Sequence, residues 1–97
     1  MLVIGHVTAS PETAAWITRL CAEHSACPRT EPGCIARNMH ADCANPARLV
    51  VVESWADMAA LRAHVAAADT NTFVREMRAL SPAPTEMNIF SASEIRP

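Results

Sequence analysis

Leu49-Val50-Val51-Val52-Glu53-Ser54-Trp55-Ala56-Asp57-Met58-Ala59-Ala60-Leu61-Arg62-Ala63-His64 changes its apolar spacing half-way along. Up to Trp55 the run is apolar and β-branched, as in a strand covered on both faces. Beyond Asp57 the apolar positions fall at Leu61, Val65 and Ala68, which is helical spacing. Asp57 suits the N-cap, where a carboxylate meets free N–H groups and the positive end of the helix dipole. One segment therefore holds a strand end, a turn and a helix start. It also sets an acid, an indole and an imidazole (Glu53, Trp55, His64) around that junction.

Working outward, Leu2–Thr8 reads as a first strand. Ser10-Pro11 then opens a helix with a capping hydroxyl and a first-turn proline. This helix is expected to run to about Ala26, with Ile17, Leu20, Cys21 and His24 inward and Trp16 beside them, and to end at Cys27-Pro28. Arg29–Gly33 is a turn. Cys34–Asp42 is a second strand, with Cys34, Ala36, Asn38 and His40 on one face and Ile35, Arg37 and Met39 on the other. Asn45-Pro46 marks a turn before the third strand, Arg48–Trp55. The second helix spans Asp57 to about Ala67. A fresh cap at Asp69-Thr70-Asn71 leads to a helix or continuation over 72–80, which Ser81-Pro82-Ala83-Pro84 stops. Thr85 to about Ser93 is a last strand, with Met87, Ile89 and Ser91 on one face and Phe90 on the other.

The order β-α-β-β-α-β is the ferredoxin-like α+β pattern, with an antiparallel sheet, in a single domain over 1–97. Two helices cover one face of a four-stranded sheet. The other face is apolar too, so a homodimer with facing sheets is expected.

Composition narrows the function. A net charge of −2 argues against nucleic acid and anionic membranes as partners. All eight basic residues are Arg, which excludes Schiff-base lysine chemistry and a P-loop. Two glycines cannot build a phosphate cradle or a dinucleotide fingerprint. No run is long enough to span a bilayer, and the first residues lack a signal-peptide pattern, so a cytoplasmic protein is expected. The four cysteines show no C-x-x-C spacing and read as reduced, mostly packed thiols, with a disulfide framework as the minority reading.

Glu31-Pro32-Gly33-Cys34, Glu53-x-Trp55-x-Asp57, Ala60-Leu61-x-x-His64 and Phe73, in this order, resemble the antibiotic-biosynthesis monooxygenase superfamily. Glu86-Met87-Asn88-Ile89 is similar to its quinol monooxygenase branch. The resemblance implies a dimeric α+β barrel that oxidises or oxygenates a small quinol or polyphenol with O₂ and needs no cofactor or metal. It also implies a dry pocket, a base and a donor for the oxyanion. Its haem-degrading members use Asn, Trp and an axial His where this chain has His6, His64 and Arg75, which disfavours haem. Many members carry a second His followed by Phe where this chain has Asp69 and Thr70, and Tyr where it has Arg37. A non-catalytic dimeric module that binds small molecules is the alternative these departures raise.

His64 is the candidate base, because imidazole moves protons near neutral pH; the plainer reading is a buried His bonded to Glu53 or to backbone. Trp55 is the candidate wall that stacks on an aromatic substrate, or simply a core residue. Glu53 either orients His64 or pairs with an arginine. His6 faces either the pocket or a dimer interface, as do Asn38 and His40. Leu61, on the apolar helix face with His64, and Phe73, from the resemblance, complete the expected binding residues. Arg37 and Arg75 could hold an anionic oxygen, with surface ion pairing as the default. His40-Ala41-Asp42 lacks the further His that an iron site would need.

Overall fold

A computed structural model describes residues 1–24, 31–81 and 83–97. The elements are β1 (Leu2–Thr8), α1 (Ala14–His24), β2 (Cys34–Ala41), β3 (Arg48–Trp55), α2 (Met58–Ala66), α3 (Ala68–Leu80) and β4 (Glu86–Phe90). The strands form one antiparallel sheet in the order β2-β3-β1-β4. The architecture is the expected ferredoxin-like α+β fold.

The boundaries that moved have local causes. The first turn before α1 is closed by a reciprocal pair: Ser10 N–H donates to Thr13 Oγ1 at 3.1 Å and Thr13 N–H to Ser10 Oγ at 3.3 Å. The helix proper starts at Ala14. Its expected end at Ala26-Cys27-Pro28 lies outside the described residues. Asp57 caps α2 as expected, its carboxylate accepting from Ala60 N–H at 2.8 Å. The break between α2 and α3 falls at Ala67, whose ψ of 142° is extended. Its N–H closes α2 on the His64 carbonyl at 3.1 Å, and its carbonyl opens α3 by accepting from Asn71. So α3 begins at Ala68, earlier than expected, without a side-chain cap. β4 ends at Phe90 because it pairs only with β1, where Phe90 meets Leu2, the first strand residue.

β2 carries the main correction. Cys34 pairs with Trp55 and Ala36 with Ser54, so Ile35 is an extra residue in a β-bulge. Ile35 is exposed, and Cys34 packs with Trp55 and Leu61 rather than sharing a face with Ala36 and Asn38. Cys34 is also disulfide-bonded, against the expectation of reduced thiols throughout. Spacing along the sequence does not report which thiols are bonded.

Helices cover one sheet face, and two apolar clusters fill the gap. Val7, Ala9, Ile17, Cys21, Leu49 and Met77 form one; Val3, Trp55 and Leu61 form the other. On β1 they are separated by Gly5, whose missing side chain leaves room: a Cβ there would lie 2.7 Å from Val51 Cγ1 and 2.8 Å from Met87 Sδ.

Burial pushes the Cys21 thiol from 9.0 up to about 11. A raised value favours the folded state below pH 9, and that contribution is lost as pH climbs through 11. Iodoacetamide at pH 8 is expected to label exposed Cys43 in the native protein and Cys21 only after denaturation. Mass spectrometry of the labelled peptides checks this.

Candidate active site

The turn before β2 builds the site's first half. Gly33 adopts φ +84°, and a Cβ there would meet the Ala60 Cβ at 2.5 Å. Only glycine lets this turn lie against α2. The Gly33 carbonyl accepts from Ala56 N–H at 2.8 Å, fixing the turn to the β3–α2 junction. Glu31 is thereby carried to His64.

His64 is buried, 6% exposed. Its Nδ1 lies 3.1 and 3.0 Å from the two Glu31 carboxylate oxygens. A carboxylate only accepts, so Nδ1 carries the hydrogen in this pair. Nε2 is then the acceptor in the neutral ring. It stands 3.8 Å from Glu53 Oε1, outside hydrogen-bond reach. Thr70 Oγ1, from the first turn of α3, approaches Nδ1 at 3.4 Å. The break at Ala67 is what turns Thr70 back toward the end of α2.

Glu53 pairs with no arginine among the described residues; it accepts the Trp55 indole N–H at 2.9 Å. Trp55 is 1% exposed and its ring lies 4.7 Å from that of His64, inclined by 32°. It does not border the cavity described next. The expected substrate-stacking wall is a residue behind His64, because its place at the strand end directs it into the Val3–Leu61 cluster.

Between sheet and helices lies a cavity of about 400 Å³, within the range of small-molecule sites. Val3, Val51, Met87 and Ile89 line its sheet side, and Leu61, Phe73 and Met77 its helix side. His64, Glu53 and Arg37 give it a polar end. Thr85 also borders it, with an Oγ1 that is buried and unpartnered. Phe73 stacks on His24 at 4.5 Å. An adjoining surface hollow at Arg78, Ser81 and Pro84 holds no acid–base pair.

The structure thus gathers His64, Glu53, Leu61 and Phe73 at one cavity. His6 and Asn38 stand on the opposite sheet face, where His6 pairs with Val50 and Asn38 with Val52. His40 shares that face. Arg75 is exposed on α3. Arg37 corrects the surface default: it is 8% exposed, with Nη1 4.0 Å from Glu31 Oε2. Sequence reasoning gave Glu31 no role, although Glu31-Pro32-Gly33-Cys34 marked its turn. Thr70 entered only as a departure from the family pattern. Among the described residues no cluster of three His, Cys, Asp or Glu side chains could hold a metal ion, and no helix is long and apolar enough to cross a membrane.

No curated protein matches the sequence. Solved structures do. A Deinococcus radiodurans protein of antibiotic biosynthesis monooxygenase type superposes with a TM-score of 0.90 at 22% identity, covering 100% of this chain and 97% of that one, a likeness of fold. Another antibiotic biosynthesis monooxygenase gives 0.84 at 28% identity over 97% and 100%. PA3566 from Pseudomonas aeruginosa gives 0.79 at 26% identity over 95% and 93%. The sequence pattern of the family described as antibiotic biosynthesis monooxygenase matches residues 1–76. With most of its length inside that match, the chain belongs to the antibiotic biosynthesis monooxygenase family.

Proposed function

We propose that the protein is a monooxygenase or oxidase that acts on a small quinol or polyphenol with O₂, without a resident cofactor, as a homodimer. The observation that carries this reading is His64, held at Nδ1 by Glu31 with Nε2 unbonded, at the polar end of an apolar cavity. Nε2 takes the phenolic proton. The resulting anion gives one electron to O₂, and the radical pair either recombines at carbon or parts after a second electron. Recombination gives a hydroperoxide, which loses water to leave a carbonyl. The second route releases quinone and hydrogen peroxide. Apolar walls keep water from the anion.

The homodimer is supported by the sheet face away from the helices. It presents Leu2, Ile4, Val50 and Val52, only half-buried, and a buried His6 Nδ1 with no partner. A second sheet would cover them, which makes His6 and Asn38 interface residues in this reading. Sedimentation at micromolar concentration tests it.

The decisive measurement of function is oxygen uptake with a reduced naphthoquinone. Wild type is expected to exceed autoxidation and His64→Ala to return to it, with Trp55→Phe between, all three checked for folding. Uptake at the buffer rate in wild type across a quinol and polyphenol panel would remove the enzyme reading. Ligand-induced thermal shifts without uptake would then favour a binding module.

A further inference from the structure

Arg37 is a guanidinium, more than nine-tenths buried, on the wall of the cavity. Its nearest carboxylate oxygen is Glu31 Oε2, at 4.0 Å from Nη1. That distance permits charge neutralisation but no hydrogen bond. Glu31 is already engaged, both of its oxygens facing His64 Nδ1. No described residue accepts a hydrogen bond from Arg37. None of its nitrogens is both sealed off and unpaired, so the fork opens onto the cavity, where a ligand can supply the acceptor.

The geometry points to an anionic ligand: the cavity takes an aromatic acid, and Arg37 binds its carboxylate. This rests on the cavity being the ligand site proposed above. A carboxylate matches the guanidinium fork with two parallel hydrogen bonds, which a lone phenolic oxygen cannot do. Glu53 faces the same space, but its Oε1 is committed to the Trp55 indole. Arg37 lies directly across from Glu53 in the β2–β3 register. The carboxylate on Arg37 therefore lies near the side of the cavity where Nε2 of His64 waits. Val51, Met39 and Leu61 meet the ring.

A matched pair isolates the charge: 2-naphthoate and its neutral isostere 2-naphthamide, neither of which is a quinol. Affinities are measured by calorimetry under argon on wild type, Arg37→Gln and Arg37→Lys, with melting temperatures recorded beside them. Wild type is expected to prefer the carboxylate about tenfold or more, the scale of a charge-assisted bidentate pair. Arg37→Gln is expected to abolish the ratio, and Arg37→Lys to lower it by removing the fork. A structural ion pair with Glu31 would shift melting without changing the ratio. No preference in wild type, or a ratio unchanged in Arg37→Gln, overturns the proposal. If Arg37→Gln does not fold, an unchanged ratio in Arg37→Lys overturns it instead. Arg37-dependent selectivity without oxygen uptake from quinols would sink the oxidase reading alone. Uptake from neutral quinols without carboxylate preference would sink this inference alone.

Discussion

Trp55→Ala is expected to lower the free energy of unfolding by about 3–5 kcal/mol. Small domains have about 5–15 kcal/mol in total, so much of the variant would be unfolded at room temperature or close to it. The loss has two parts. Removing a ring that is 1% exposed and packed on Val3 and Leu61 leaves a void at the end of β3. It also strips Glu53, itself 6% exposed, of the indole N–H it accepts at 2.9 Å. A buried carboxylate left without its donor is destabilising in its own right. Trp55→Phe keeps most of the volume and loses only the donor, so it is expected to cost markedly less. Urea unfolding of the two variants measures both parts. A cost below about 1 kcal/mol for the alanine variant would mean that this end of the core is not packed as described.

Glu31→Gln is expected to lower the catalysed rate of oxygen uptake about a hundredfold or more, at nearly unchanged KM. The amide fits the same space and can still accept from Nδ1, so folding is expected to survive. What goes is the carboxylate whose two oxygens hold the ring in one tautomer and one orientation. Glu31 is thus a positioning residue, acting through His64. His64→Ala removes the base itself, and the double variant is expected to be no slower than His64→Ala alone. Effects that multiplied instead would show that the two residues do not act as a unit. A rise in KM with kcat unchanged would place Glu31 in ligand binding rather than in catalysis.

What could be read from the sequence was what is encoded locally. The apolar run into Trp55, the Asp57 cap and the periodicity from Leu61 specify a strand, a turn and a helix within one short stretch. Repeated along the chain, such signals gave the element order and hence the sheet. The partner of His64 was beyond them. Glu31 is 33 residues away in the chain. It arrives because Gly33 can lie against Ala60, which is a packing fact rather than a periodicity. Arg37 was read by the habit of its type, which is to sit at the surface. Its burial follows from the facing of β2, and that depends on Ile35 bulging rather than pairing. The close approach of Val51 and Met87 over Gly5 was equally hidden, because composition counts a missing side chain only as one more glycine.

The bulge at Ile35 makes the identity of the ligand-facing wall a matter of odd and even. From Ala36 onward, every second residue of β2 looks into the cavity, and which set does so is decided by whether a single position bulges or pairs. A chain in which Ile35 paired regularly instead of bulging, with Cys34 still beside Trp55, would exchange Arg37 and Met39 for Ala36, Asn38 and His40. The other three strands would be untouched. Relatives that bulge here and relatives that pair regularly can therefore share an outline and select chemically unlike ligands. In comparing them, where this strand bulges matters more than how many residues it has.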